Sequence, residues 1–218
     1  MLDRETGILP GVGLNYSHSI PGAEFNLYSN MFSGLVNYDG HTQAGTPHTT
    51  QTDTLIADVG LVVKLPLTSQ HQTITAGYGS GFWSRNILPN AGVGGLYELY
   101  RWSTSSLGYE YQQRLDTHHL ILSIDRLWHS NSSMKIDFDG INPSIVPLKN
   151  STGWQGSVHY AFDIDQQWQF ISKFKWQKWS SKKSDSVVIN SIYGLINVHE
   201  PRSMTNTNTL SLSLKYSF

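Results

Sequence analysis

The sequence predicts an all-β protein, a transmembrane antiparallel up-and-down β-barrel occupying residues 1–218 as a single domain. Three observations carry that expectation. Apolar and polar residues alternate with a period of two, the links between segments alternate between short and long, and the composition does not suit a water-soluble domain. Of 218 residues only 14% are Asp, Glu, Lys or Arg, and 12% are aromatic; soluble domains carry roughly 25% charged residues. The 15 basic and 16 acidic residues leave a net charge of -1. With no basic surplus, nucleic acid is excluded as a partner. The absence of Cys excludes disulfides and thiolate metal sites. Mean hydropathy is -0.31, and no apolar run approaches the ~18 residues a membrane helix needs.

The segments follow in order. A first strand over about 11–19 sets Val12, Leu14 and Tyr16 against Gly13, Asn15 and Ser17. A second, over about 24–38, changes its apolar parity near Tyr28, which predicts a bulge there. From Leu55 the odd positions Ala57, Val59, Leu61, Val63 and Leu65 oppose Thr54, Asp58, Gly60 and Lys64. After Gln72, Ile74, Ala76, Tyr78 and Phe82 oppose Thr73, Thr75, Gly77, Gly79 and Gly81. A weaker strand spans about 95–112. Leu120, Leu122 and Ile124 then oppose His119, Ser123 and Asp125, and Trp154, Val158, Tyr160, Phe162 and Ile164 oppose Gln155, Ser157, His159 and Asp163. Trp168, Phe170, Phe174 and Trp176 oppose Gln169, Lys173, Lys175 and Gln177, and Leu210, Leu212, Leu214, Tyr216 and Phe218 oppose Thr209, Ser211, Ser213, Lys215 and Ser217. Nine strands are visible and no helix.

Short links fall at Ile20–Ala23, Pro66–His71, Leu115–His118 and Asp163–Gln167. Long ones, rich in Gly, Pro, Asn, Ser and Thr, fall at Asp39–Asp53, Asn86–Gly94, Ser130–Ser151 and Ser181–Met204. Short turns at one end and long loops at the other are the pattern of a membrane barrel. A soluble sandwich also alternates, but its water-facing positions carry many Lys and Glu. Here the polar face is Ser, Thr, Gly, Gln and scattered charges, as in a polar lumen. Tyr16, Trp128, Trp154, Trp168, Trp176 and Tyr216 stand toward strand ends, where interfacial girdles fall. Val59, Leu61, Leu122, Val158, Phe170 and Leu212 are expected to face lipid.

Residues 210–218, Leu-Ser-Leu-Ser-Leu-Lys-Tyr-Ser-Phe, resemble the C-terminal strand of Gram-negative outer-membrane β-barrel proteins. The terminal aromatic Phe218, Tyr216 third from the end, and apolar Leu214, Leu212 and Leu210 carry the resemblance. It implies that these residues are an assembly signal read by the barrel-assembly machinery, and that the chain lies among outer-membrane lipid and lipopolysaccharide. With the C-terminus in the periplasm, every long link falls outside and every short one inside. The first strand then starts outside, which leaves nine strands where bacterial barrels use an even number. Ten are expected in the complete barrel. The tenth is a missed strand such as Val187–Val198, a strand from a partner chain, or an upstream strand that, with a signal peptide, precedes this sequence.

The lumen-facing polar residues on this reading are Asp58, Lys64, Glu98, Glu110, Asp125, His159, Asp163, Lys173, Lys175 and Lys215. They form either a polar pathway or a salt-bridged filling, and a barrel of about ten strands is narrow enough to favour the filling. His129 and Ser130 resemble the His-x-Ser-Asn pair of outer-membrane lipid A deacylases, in which His is the base and Ser the nucleophile. Here the two are adjacent, so they point to opposite faces of a strand. A surface protease of the omptin type needs paired Asp-Asp and Asp-His groups at the outer rim, and no such pair is visible. His41, His48 and His199, with Asp39, Asp53 and Glu200 nearby, lie in long links, and their spacing is weak evidence for a metal. Gly92, Gly94 and Gly95 read as loop. No cofactor site is expected. The functional reading is a structural, adhesive or narrow-pore component of the envelope, with an outer-membrane enzyme as the alternative.

Overall fold

The computed structural model describes residues 4–41, 45–67, 71–138, 143–191 and 194–217. Among them there is no helix, and thirteen strands are present. These are β1 (Arg4–Thr6), β2 (Gly11–Ile20), β3 (Ala23–His41), β4 (Pro47–Pro66), β5 (Gln72–Ile87), β6 (Leu96–Leu115), β7 (His118–Phe138), β8 (Ser144–Pro147), β9 (Ser151–Asp163), β10 (Trp168–Ser181), β11 (Val187–Ser191), β12 (Gly194–Val198) and β13 (Ser203–Tyr216). Every pairing is antiparallel. Eleven strands make one up-and-down sheet, and β11 and β12 form a separate hairpin.

Two pairs of strands in this sheet lie end to end. β1 and β2 both pair with one edge of β3, at Asp39–Asn37 and at Phe32–Ala23. Pro10, which has no N–H to give a ladder, lies at the break, and its carbonyl accepts from Ser33 N at 3.0 Å. β8 and β9 likewise follow one another along β7. The eleven strands therefore make nine crossings, matching the nine segments of the alternation. Val187–Val198 is not a further crossing; it contains the β11–β12 hairpin. The tight turn from β2 to β3 uses Gly22 at φ 85°, a conformation that costs a glycine nothing.

The sheet is strongly curled. Lys64 on β4 reaches Glu110 on β6, His129 on β7 meets the Trp179 ring on β10 at 5.7 Å, and Arg85 on β5 reaches Glu5 on β1. These contacts span two and, for Arg85 and Glu5, three strand steps over one inner face, and curling shortens the longest of them. Packing is close where a glycine allows it. The Tyr28 phenol lies over Gly60, where a Cβ would stand 2.6 Å from the Tyr28 oxygen.

The structure moves the expected bulge. β3 stays in register with β4 from Glu24 to His41, so alternation does not break at Tyr28. Tyr28, Phe32, Val36 and Tyr38 all lie on the inner face, and that is why the apolar parity reads as shifted. The irregularity is instead between β6 and β7. Ser103 faces Ser130 and Arg101 faces Ser133, leaving one extra residue near Asn131, which takes φ 50°, a left-handed conformation that Asn tolerates.

Polarity inverts along the strands. In the half nearer the short turns, here the belt, apolar side chains point outward. Leu27, Met31, Val59, Leu61, Tyr78, Leu122, Ile124, Val158, Phe174 and Leu212 are all substantially exposed there. In the half nearer the long links, here the crown, the outer face turns polar. Leu35 gives way to Asn37 and Asp39, Leu55 to Asp53, Phe82 to Ser84 and Asn86, and Leu210 to Asn208, with Leu99, Ile145 and Met204 among the exceptions. The crown's inner face carries the apolar core: Tyr100, Met134, Ile136 and Val146, closed by Ile189 and Val198 of the hairpin. Met134 is 1% exposed and Val146 0%, against 67% for Leu212. The strands therefore run further into the long links than alternation of one fixed phase shows.

Candidate functional site

The inner face of the belt and the base of the crown hold the polar side chains. All ten lumen candidates lie on that face by register. Lys64 donates to both oxygens of Glu110 at 2.9 Å. Asp125 accepts from Thr75 at 2.9 Å and from Gln155 at 3.3 Å. Asp58 accepts from Asn30 at 3.3 Å, and Lys175 faces it across the interior. His159 shares a 2.9 Å hydrogen bond with Ser157, which contacts Ser123 at 2.7 Å. Among the described residues, Lys173, Lys175 and Lys215 have no ion-pair partner within 4.0 Å.

Two recurring features build this network. Alternation delivers every second residue to the interior, and small residues between long ones let side chains span a strand. Thr75 reaches Asp125 over Gly108, and Lys64 reaches Glu110 past Thr73 and Thr75.

Asp163 sits at the last position of β9, at the turn end. It accepts from His119 at 3.0 Å and from Gln169 at 2.7 Å. Those hydrogen bonds, His119 first, hold its carboxyl below the usual carboxylate range.

Glu98 belongs to the crown, in a cluster that sequence reasoning did not assemble. Arg85 is clamped between Glu5 at 2.9 Å and Glu98 at 2.5 Å. Tyr100 donates to Glu98 at 3.1 Å, and Thr52 donates to Glu5 at 2.8 Å. The guanidinium carbon lies 5.1 Å from the centre of the Trp83 ring and 5.8 Å from that of Tyr100, within cation–π range. Burial alone would pull Arg85 down, but Glu98, then Tyr100 and Glu5, raise it instead. Burial, then the Glu98 charge, pushes the Tyr100 phenol well above its ordinary value. Arg85 was legible in sequence, since it continues the inner row Thr73, Thr75, Gly77, Gly79, Gly81. Glu5 carries no such signal, because its short strand lies beyond the Pro10 break.

The His129 and Ser130 pair is not assembled. His129 points inward, its Nδ1 2.8 Å from Thr104 Oγ1, with its ring edge-on to Trp102 and Trp179. Ser130 is the next residue along the strand, just before the bulge, so the two side chains diverge. The histidines expected in long links are not grouped either: His41 ends β3 and His48 lies in β4, on opposite faces of the paired strands, rather than in a loop. His48 is buried against Tyr38, Asp39 and Asp53 lie on the outer face, and His199 is exposed after β12. Among the described residues no group of three His, Asp or Glu side chains has metal-binding geometry. Gly92 and Gly94 lie in the β5–β6 link, where Asn90 and Val93 exchange backbone hydrogen bonds.

The aromatic residues expected in girdles stand on the outer face. Trp128, Trp154 and Trp176 lie where the belt meets the crown, and Trp168 and Tyr216 pack together at the turn end with ring centroids 4.9 Å apart. Leu210, Leu212 and Leu214 lie outward on β13. Phe218 lies outside the described residues.

No family model and no curated protein matches the sequence. Among solved structures, the crystal structure of the P. putida toluene transporter TodX is similar at a TM-score of 0.42 and 11% identity. The match covers 94% of this chain and 63% of that one, so the chain spans less than two thirds of the transporter's length.

Proposed function

We propose that the chain is a small β-barrel of the Gram-negative outer membrane, with its long links outside. Its interior is filled by its own side chains, and it serves as a structural or adhesive component of the envelope. The inversion of polarity between belt and crown carries this reading. Exposing Leu14, Leu61, Ile124 and Leu212 to water would waste the largest favourable term in folding. In lipid those side chains are at home, while the crown, with its polar exterior and apolar core, suits water. The aromatics at both ends of the belt agree with two interfaces. Outer-membrane lipid and lipopolysaccharide are the surroundings of the belt, and Leu210–Phe218 is the segment offered to the barrel-assembly machinery.

A filled interior fits the bonded groups Lys64–Glu110, Thr75–Asp125–Gln155 and Ser123–Ser157–His159 better than it fits a solute pathway. The test is fractionation of the cells that make the protein, followed by planar-bilayer recording of the purified protein. The expected result is a heat-modifiable outer-membrane species without stable conductance steps. Stable steps would favour a narrow pore, and a monomer soluble without detergent would end the membrane reading.

A further inference from the structure

Charged side chains are shared unevenly around the outer face. Among the described residues of β1 to β5 they are Arg4, Asp39 and Asp53, with Arg4 opposite Asp39. On β6, β7, β9, β10 and β13 they are Arg101, Arg126, Lys135 and Lys178, against a single acid, Asp137, near the far end of β7. One flank of the sheet is therefore basic, and it is the flank that carries Trp128, Trp154 and Trp176 where belt meets crown.

Arg126, Trp154 and Lys178 stand side by side on β7, β9 and β10, because Arg126 pairs with Trp154 and Trp154 with Lys178. The Arg126 guanidinium carbon lies 5.0 Å from the centre of the Trp154 ring, and Lys178 flanks the same indole from the other side. Toward the long links the outward neighbours are Thr152, Ser180 and Asn206, which are uncharged. Among the described residues neither Arg126 nor Lys178 has an ion-pair partner within 4.0 Å. Toward the turns, the position below Trp154 on the outer face is Gly156, between Ile124 and Trp176. Its missing side chain leaves a furrow that leads down to Val158.

We propose that this patch binds a phosphate of the lipopolysaccharide headgroup, with Arg126 and Lys178 on the phosphate, Trp154 against the sugar that carries it, and an acyl chain in the furrow at Gly156. The proposal deepens the membrane reading above, with the long links outside, and rests on it. A tilted strand rises roughly 2.5 Å per residue along a barrel axis. Arg126 and Lys178 therefore stand about 20–25 Å above the turns at His118 and Trp168, where an apolar band about 25 Å tall gives way to headgroups. A cation at that depth is costly unless it meets an anion or water, and this stretch of outer face offers no carboxylate. The two cations lie two strand steps apart, roughly 10 Å, so their long side chains can converge on one phosphate between them. Arg126 can hold it through two N–H groups and Lys178 as a point charge. The flank at β1 to β5, with its two acids, lacks these features.

The experiment uses the full chain purified in non-ionic detergent, with native mass spectrometry reading the bound lipid. Bisphosphorylated lipid A is the probe; dephosphorylated lipid A, phosphatidylglycerol and inorganic phosphate are the comparisons. One molecule of the probe should be retained about tenfold more tightly than its dephosphorylated form, more tightly than phosphatidylglycerol, and without displacement by millimolar inorganic phosphate. Arg126→Gln combined with Lys178→Gln should bring the probe down to the level of the dephosphorylated lipid. Lys149→Gln, at an exposed lysine paired with Asp185 in the links, should leave its retention unchanged. Equal retention of the two forms of lipid A, or of the probe and phosphatidylglycerol, overturns the inference. So does an unchanged double variant, or an equal loss in the Lys149 variant. Displacement by inorganic phosphate also overturns it, since the patch would then be a general phosphate site. The comparison of lipids on the wild-type protein needs no variant, so it decides the matter even where the double variant does not fold. Any overturning result in a barrel that is heat-modifiable and membrane-inserted leaves the membrane reading intact, whereas a monomer soluble without detergent ends both.

Discussion

Belt and crown are made by the same strands, yet they are stabilised in opposite ways. In the belt, apolar side chains point outward and the interior is held by hydrogen bonds and the Lys64–Glu110 pair. In the crown, Met134, Ile136 and Val146 point inward and pack under the β11–β12 hairpin as in any soluble core. The crossover occurs within single strands. β4 turns the odd residues from Leu65 back to Leu55 outward and then turns Asp53 outward, with no change in backbone register. A strand alternates whatever surrounds it, so the surroundings decide which phase of the alternation is apolar.

The largest effect expected of a single change lies at the base of the crown. Arg85→Met removes the cation from between Glu5 and Glu98 and leaves two poorly exposed carboxylates unpaired, which should cost about 3–5 kcal/mol. Thermal unfolding in detergent, followed by the shift of the heat-modifiable band, measures it. A loss under 1 kcal/mol would show that the cluster is open to water. Next, Met134→Ala should cost about 2–5 kcal/mol through the cavity left in the crown core, a loss that an outward belt residue of equal size would not reproduce in the same detergent assay.

The comparison sharpens with a charge placed on each outer face. Ile124→Arg, in the middle of the belt, should cost about 2–4 kcal/mol in a lipid-bilayer folding assay. Ser133→Arg, on the crown's outer face, should fall within about 0.5 kcal/mol. Equal effects would erase the distinction between the two halves. Arg126 already shows how the upper rim accommodates a cation, with its guanidinium carbon 5.0 Å from the centre of the Trp154 ring.

The smallest effect concerns acid at the turn end. Because the Asp163 carboxyl is held low in the folded protein, its contribution is present above the ordinary Asp range and is lost as pH falls through the lower folded value. Asp163→Asn should lower thermal stability slightly at pH 7 and not at all at strongly acid pH, where wild type and variant should converge. A difference that persists in acid would mean that Asp163 acts by packing alone.

Much of this was legible in the residues. The period of two located all nine crossings, and the inner parity of Asp58, Lys64, Glu110, Asp125 and Lys175 followed from the same count. Alternation failed where its phase inverted. Val36 and Tyr38 point inward although Leu35 points outward, and an apolar count alone reads such a stretch as a bulge. The extension of β7 to Phe138, with β8 beside it, was hidden because the bulge at Asn131 shifts the phase by one residue.

What the sequence determined by itself was therefore local: where the chain extends, where it turns, and which residues share a face. Those properties depend on backbone periodicity and on neighbours a few positions away. The tertiary structure decided which distant residues meet, because curling the sheet brings side chains together across an interior that no spacing along the chain encodes. Glu5 reaches Arg85 only because β1, β3, β4 and β5 bend around a common centre, and His129 of β7 meets Trp179 of β10 over the same inner face.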